Sequence, residues 1–454
     1  MTQNTSNVAL VGPAAIAENH INSGSNDSSP DSQKAPEQRI RQQSLKQQLQ
    51  KAERRNRIRA FLLVVPLLLF IGITFVLPIS NMLYRSIDNP LISEKLPQTV
   101  SALEEWQFDG LPPESAYQAL ALELVTLHNN KDLAKVASRL NIEQSGMRSL
   151  MTRSGRKLNK AFNSGTEIAS YPAIEVKAAV IKADKRWGQQ KYWASIKNLS
   201  GRFTLSYYLA ALDLRYDENG DIVSQPENRQ IYVPLLLKTL GMSLLITVVC
   251  LVLGYPVAYL LATLPDRHSN LLMIMVLLPF WTSLLVRTTS WIVLLQTEGV
   301  VNDVLIASGL ISERIQMVHN MFGTVVAMSH ILLPFMILPL YSVMKSISPS
   351  YMRAARSLGA TPAHAFIKVY MPQTLPGIGA GALLTFILSI GFYITPALVG
   401  GRSGQMISNF IAYHMQTSLN WGMAAALGGI LLAVVLLLYV LYNRLAGINT
   451  LTAR

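Results

Sequence analysis

The sequence predicts an all-α integral membrane protein with six transmembrane helices and a mainly α-helical insertion outside the membrane between helices 1 and 2. Three observations carry that reading. Half of the 454 residues are hydrophobic and only 14% are charged, where a soluble protein carries about 25%. Six apolar runs are long enough to cross a bilayer, which takes about 20 residues. Between the first two runs lies a mixed-charge, Ala-rich stretch with no long apolar segment.

Taken in order, residues 1–59 form a tail rich in Asn, Ser, Gln and Ala, read as disordered. It ends in the cations Lys51, Arg54, Arg55, Arg57 and Arg59. The uncharged run Ala60–Tyr84 follows. A signal-peptide core is roughly 7–15 residues, so this longer run is read as a retained first span. Five more spans are expected at Ile231–Leu264, Leu271–Gln296, Phe322–Met344, Gly377–Gly400 and Gly422–Tyr442, giving a membrane core over 231–446. Lys345, Arg353, Arg356 and Lys368 crowd one loop and Arg444 and Arg454 the C-terminal end, whereas loop 297–318 sets Glu298, Asp303 and Glu313 against Arg314. Counting basic residues on the short loops places both termini in the cytoplasm and residues 85–230 in the periplasm. The net charge of +13 then reflects anchoring at the cytoplasmic face, and no nucleic-acid partner is expected. The single cysteine, Cys250, rules out an intramolecular disulfide.

In the 85–230 insertion, "ESAYQALALELVTLHNN" has helical spacing and is expected to end near Asn129. "DLAKVASRL" and "AIEVKAAVIKADKRWGQQKYWASIKNL" read as helices too. The Asn-Gly in "DENGDI" predicts a small hairpin just before the chain re-enters the membrane. Trp187, Tyr192 and Trp193, with Lys185, Arg186 and Lys191 nearby, read as a core stripe backed by a solvated basic face. Neither metal-ligand nor catalytic-triad spacing occurs, so no catalytic or metal residue is expected.

The loop 345–376 has its own punctuation. Ser348 suits an N-cap and Pro349 the first helical position. Gly359 suits the left-handed position that ends a helix. Thr361 and Pro362 repeat the start signal, and Pro372 and Pro376 are expected to break the second helix before the fifth span. A short helix of about ten residues, roughly 15 Å long, held between two spans and edged only with cations, suits the transmission of a push from a partner.

Read as a pattern, the loop resembles that of ABC importer permeases: Glu-Ala-Ala, three residues, Gly, nine residues, Ile-x-Leu-Pro. Ala354 and Ala355 match the alanines, Gly359 follows after three residues, and Val369-Tyr370-Met371-Pro372 occupies the final slot. Arg353 stands where the family has Glu, and Arg356 lies on the same helix. "GYPVAYLLA" (254–262), "LLPFWTSLLVRTTSWIVLLQTEGVVND" (277–303) and "GFYITPALVGG" (391–401) resemble the spermidine/putrescine-type permeases, although the 85–230 insertion is far longer than the first outer loop of those relatives. The resemblance implies an inner-membrane permease whose coupling loop docks on an ATP-binding subunit, in two copies. It also implies a second permease subunit and a periplasmic solute-binding protein. No GxxxxGK[ST] phosphate loop occurs in the chain, so ATP and Mg²⁺ are expected on the partner subunits, with no cofactor here.

Ionisable residues within spans are few: Lys238, Arg287 and His330. Arg287, counted along an unbroken helix from Asn270, would lie about 25 Å in, in the outer half. It should face protein or water rather than lipid, and His330 reads as a packing residue. Trp281, Trp291, Phe392 and Tyr393 are candidates for an aromatic-lined path. No Asp or Glu follows Glu313, which sits uneasily with a polyamine and leaves zwitterionic or anionic solutes open, such as amino-acid conjugates or phosphonates. Two other classes lack the features they require. A membrane-anchored sensor would need an output domain, and only about a dozen residues follow the last span. A secondary transporter would need coupling carboxylates or an inverted repeat, and neither is found.

Overall fold

The computed structural model describes residues 54–55, 57–162 and 168–451; most of the expected 1–59 tail lies outside them. Two compact units divide the chain, Met1–Leu77 and Pro78–Arg454. Six helices among the described residues are long and apolar enough to span a membrane. With the shorter elements, they run in the following order. Helix α1 is Arg57–Ile87. It contains a π-helical turn, Gly72–Val76, set just before Pro78.

After α1 come α2 (Pro90–Lys95), α3 (Pro97–Leu103), α4 (Glu114–Asn129), α5 (Leu133–Glu143), α6 (Met147–Phe162), α7 (Ala173–Ala183) and α8 (Gln190–Asn198). They pack around one core, in which Tyr117, Trp187 and Trp193 are fully buried. Their ring centroids lie 4.5–5.1 Å apart. Each polar edge is satisfied: Trp187 Nε1 donates to Ser154 Oγ at 2.8 Å, while Tyr117 Oη and Trp193 Nε1 both donate to the Trp187 carbonyl. This is a core stripe, as the spacing predicts. The single helix expected over 173–199 is instead broken at Asp184. Its carboxylate caps a 3₁₀ turn through the Arg186 N–H and pairs with the Arg186 guanidinium at 2.9 Å. That hydrogen-bonded guanidinium holds the Asp184 carboxyl below the usual carboxylate range. At Glu123 the balance runs the other way. Burial raises its carboxyl despite hydrogen bonds from Thr99 and Gln98.

The chain leaves and rejoins the spans at a single neck. Asp88 bridges to Phe203, Asn89 N–H donates to the Arg202 carbonyl, and Thr204 N–H donates to the Ile87 carbonyl. Buried Arg139 locks this crossing through Nε to Asn89 Oδ1 at 2.9 Å, with its guanidinium 4.3 Å from the Tyr207 ring centre. Helix α9 (Ser206–Ala211) follows. Then comes the predicted hairpin, β1 (Leu214–Tyr216) paired antiparallel with β2 (Ile222–Ser224), Arg215 opposite Val223.

The remaining helices are α10 (Tyr232–Thr263), α11 (Asp266–Leu277), α12 (Leu284–Leu295), α13 (Val300–Ala307), α14 (Met321–Ser346) and α15 (Pro349–Ser357). They are followed by α16 (Pro362–Gly391), α17 (Ile394–Val399), α18 (Ile407–Gln416) and α19 (Trp421–Leu451). The second core lies where α10, α14 and α16 meet, around Met242, Cys250, Leu332, Met336 and Leu340. Small residues allow the approach. A side chain at Gly377 would meet Val343 at 3.0 Å, and one at Gly381 would meet Met336 at 2.9 Å. Such contacts matter because lipid removes the hydrophobic drive between helices, leaving close packing to hold them.

Two expected spans shift. The third does not run from Leu271 to Gln296. A 3₁₀ turn at Leu278–Trp281 interrupts it, and Ser283 Oγ caps a new helix by accepting the Val286 N–H at 3.2 Å. Pro279 has no N–H to continue the ladder. The span-length apolar helix is Leu284–Ala307, and Arg287 sits in its first turn rather than 17 residues along a continuous rod. The fifth span begins earlier than Gly377. Pro372 and Pro376 do not break it, because the π-helical turn Phe366–Tyr370 precedes Pro372 by two residues, just as the π turn of α1 precedes Pro78. A wider turn relieves the clash of a proline ring with the carbonyl four residues back. The span ends at Gly391, with α17 as a separate short helix.

The start of α10 depends on one side chain. Asp213 is buried, and its carboxylate accepts the N–H groups of Ile231, Tyr232 and Val233 at 3.0, 3.1 and 2.7 Å. These are orphan donors of a helix start. Asp213 also adopts φ +57, a conformation Asn and Gly tolerate and Ala does not. Replacing it separates the two effects. Asp213→Asn keeps an acceptor and the backbone and should unfold within a few degrees of wild type. Asp213→Gly keeps only the backbone and should cost about 1–3 kcal/mol for the lost acceptor. Asp213→Ala loses both and should be the least stable. Thermal unfolding of detergent-purified protein reads the order, and equal midpoints for all three would remove the capping role.

Candidate functional site

The loop 345–376 builds two capped helices around a glycine. Ser348 Oγ accepts the Ser350 N–H and Thr361 Oγ1 the His364 N–H, both at 3.3 Å. Between them Gly359 has φ +91. The Gly359 N–H donates to the Arg356 carbonyl and the Ala360 N–H to the Ala355 carbonyl, at 3.0 and 3.1 Å. That pair of bonds is the Schellman closure of a helix. A Cβ at Gly359 would meet nothing within 4 Å, so glycine is required there by backbone conformation alone.

Helix α15 buries none of its residues. Arg353, Ala354 and Arg356 are exposed and Ala355 is half-buried. Leu358 is 89% exposed. Among the described residues, neither Arg353 nor Arg356 has an ion pair. The loop therefore presents a short helix with two free guanidiniums and an uncovered leucine.

What ties this loop to the spans is aromatic. Phe366 stacks on Tyr370 at 5.5 Å between centroids, and Tyr259 of α10 meets both edge-on at 5.4 Å. Tyr255 approaches Phe366 at 6.3 Å, and its hydroxyl is 3.2 Å from Thr374 Oγ1. Pro372, exposed, lies between that π turn and Thr374. At the other end of the loop, Lys345 pairs with Asp266 at 3.1 Å. Sequence reasoning missed the four rings. The signal was present as two aromatic pairs at i,i+4 spacing, Tyr255/Tyr259 and Phe366/Tyr370, which share a helix face.

The proposed path residues lie in different local settings. Trp281 is 75% exposed. Trp291 donates Nε1–H to His330 Nδ1 at 3.1 Å, so His330 is a packing partner. Arg287 is half-buried, and its Nε lacks a hydrogen-bond partner. At the next residue, Thr288 Oγ1 lies 3.3 Å from Thr395 Oγ1, joining α12 to α17. Phe392 and Tyr393 form the break after α16, where their carbonyls accept from Ser408 Oγ and Asn409 Nδ2. Tyr393 lines a cleft of about 280 Å³ with Ser408, Ala412 and Met415. Trp281, Arg287, Trp291 and Phe392 do not line it.

Comparison with known proteins identifies the frame that holds this loop. The family of binding-protein-dependent transport system inner membrane components matches residues 254–447. The spermidine/putrescine transport system permease protein PotB of Salmonella typhimurium (strain SL1344) is 36% identical over 214 residues, covering 47% of this chain and 75% of its own. The inner membrane ABC transporter permease protein YdcU of Escherichia coli (strain K12) is 30% identical over 230 residues, covering 48% and 73%. Among solved structures, a bacterial ABC transporter that imports alginate aligns with a TM-score of 0.40 and 22% identity, over 49% of this chain and 79% of that one. This chain belongs to the binding-protein-dependent transport system inner membrane components, and is an ABC importer permease: a multi-pass transporter subunit of the inner membrane rather than an enzyme.

Proposed function

We propose that this permease forms half of a translocation path for a small polar solute of the spermidine/putrescine type. A second permease subunit completes the path, and a periplasmic solute-binding protein delivers the solute. Two copies of a separate ATP-binding subunit hold ATP and Mg²⁺. The tail, the loop 345–376 and the C-terminus lie in the cytoplasm, and residues 85–230 in the periplasm. The polyamine assignment is supported by what the PotB relatives are named for, and the topology by the distribution of basic residues.

The observation that carries the coupling role is the mechanical continuity of the loop. Helix α15 is uncovered on its outer face, closes at Gly359, and passes directly into α16. The rings at 366 and 370 grip Tyr259 of α10. A displacement of α15 by a docked partner is thus delivered to two spans at once. In this reading Ala354 and Ala355 permit close approach, Gly359 sets the angle, and Arg353 and Arg356 meet carboxylates on the partner.

A second reading of the solute rests on charge. With no Asp or Glu after Glu313 and Arg287 in the first turn of a span, the chain suits a zwitterionic or anionic solute such as an amino-acid conjugate or phosphonate. Uptake of labelled putrescine into vesicles holding the whole transporter decides between them. Saturable uptake supports the polyamine reading. Uptake only of a carboxylate- or phosphonate-bearing solute replaces it.

Two substitutions test the coupling loop. At φ +91 a β-branched residue is strained by more than the roughly 1–2 kcal/mol of an ordinary side chain. Gly359→Val should therefore insert normally yet lose solute-stimulated ATPase activity and at least tenfold of uptake. Normal uptake would make the loop a passive connector. Arg353→Glu, which sets like charges together, should weaken assembly with the protein's own ATPase. A buried pair broken in this way costs about 3–5 kcal/mol, against 0–1 for an exposed one. Copurified ATPase should fall by about two orders of magnitude in affinity, and a matched carboxylate-to-lysine change on the partner should recover part of it. Unchanged complex yield would place Arg353 in solvent.

A further inference from the structure

Some charges of the inserted helical body are paired: Lys95 with Asp132 at 2.7 Å, Arg186 with Asp184 at 2.9 Å, Lys177 with Glu114 at 3.5 Å. Elsewhere six charged side chains gather around one cavity. A cavity of about 430 Å³ beside the hairpin is lined by Lys191, Arg215 and Arg229 and by Glu143, Asp217 and Glu218. Among the described residues, none of the six takes part in an ion pair. The volume falls within the range of roughly 300–1,000 Å³ usual for small-molecule sites.

Within that cavity some of the charge is already engaged. Glu143 accepts the Ser206 hydroxyl. Asp217 Oδ1 accepts the N–H groups of Asn219 and Asp221, which shape the hairpin turn. Lys191 lies 5.4 Å from the Tyr192 ring centre. Three groups are left over. Arg215 Nε is a buried donor without an acceptor, while at the rim the exposed Glu218 carboxylate and Arg229 guanidinium hold no ion pair or side-chain hydrogen bond among the described residues. Unpaired buried polar groups are rare in native structures and call for an occupant or a reason. Three charges of each sign leave the lining without net charge, so it favours neither a lone cation nor a lone anion overall. They suit a ligand that carries both signs.

We propose that this cavity binds a small zwitterion of the α-amino-acid type, its carboxylate toward Arg215 and Arg229 and its ammonium toward Glu218. This site is separate from the solute path through the spans. Arg215 stands two residues from Asp213, which caps the second span, so an occupant would stiffen the strand that positions that cap.

Calorimetric titration of the full-length protein in lipid nanodiscs tests this. The probes are L-glutamine, L-glutamate and L-arginine, with putrescine and inorganic phosphate as single-sign controls. At least one amino acid should bind saturably. Arg215→Gln and Glu218→Gln should each weaken that binding at least tenfold, and neither control should show binding that these variants abolish. If Arg215→Gln does not yield folded protein, Arg229→Gln on the exposed turn replaces it, with the same expected loss. Absence of saturable binding by all three amino acids overturns the proposal. So does binding that the variants leave unchanged, which would place the ligand elsewhere, or variant-sensitive binding of putrescine or phosphate alone.

Discussion

Helix Tyr232–Thr263 is held at both ends by groups from outside itself, and the rest of the molecule is arranged around that fact. A spanning helix satisfies its own backbone except at its termini, and lipid offers no water to complete the ends. At the first end the Asp213 carboxylate, from the inserted segment, takes three N–H groups. At the other end Tyr255 and Tyr259 lie against Phe366 and Tyr370. Between them Thr239 Oγ1 accepts the Ile407 N–H at 2.8 Å, and Gly254 admits Met336 and Ile337 to close contact. The insertion, the following spans and the loop 345–376 therefore all load the same helix. A push on the loop and a constraint at the insertion act on opposite ends of one strut.

The features legible from sequence were those fixed by a few neighbouring residues. Ser348, Gly359 and Thr361 each state a local backbone requirement, and the structure meets all three. The hairpin at Asn219-Gly220 was readable for the same reason. Proline was less reliable. Pro279 ended a helix, whereas Pro372 was absorbed by a π turn, and the difference lies in packing. Phe366 and Tyr370 find rings on α10 that hold the wider turn in place, a long-range contact that local spacing does not contain. The early placement of Arg287 failed with the unbroken helix it assumed. The path residues were the least legible, because a path is a relation between helices; Tyr393 of the proposed set lines a cleft with Ser408 and Met415.

An insertion of this length is tolerated because its ends meet. Loop-closure cost grows only slowly with the number of residues enclosed, and here the ends are bonded to each other through Asp88, Asn89, Arg202 and Thr204. Arg139, reaching from α5 to that crossing and to the Tyr207 ring, makes the neck part of the helical body. Tyr207 then packs on Gly422 and Tyr208 on Gly429 of the last span, while the Ser86 hydroxyl donates to the Tyr208 hydroxyl at 2.9 Å. The body is thus joined to the last span by ring-on-glycine contacts rather than by a flexible linker. It must follow that span if the span moves.

The charge inventory constrains how a polyamine would cross. Taking an ammonium out of water costs several kcal/mol even after relaxation. An aromatic face returns about 0.5–2 kcal/mol per contact, which falls short for a solute carrying two or more such groups. Among the candidate rings, Trp291 already uses its N–H on His330, and Trp281 projects outward with three quarters of its surface exposed. Among the described span helices, carboxylates occur only at Glu298 and Asp303, toward the end of Leu284–Ala307, and Asp303 is already paired with Arg314; Arg287 adds a like charge. If the solute is a polyamine, Glu298 alone is left unpaired on these spans, and on the proposed arrangement the remaining carboxylates come from the second permease subunit. If the solute bears its own carboxylate or phosphonate, Arg287 becomes an asset and a carboxylate-free partner suffices. On the proposed two-permease arrangement, the ionisable residues on the spans of the second subunit therefore bear on the solute's class more directly than those of this chain.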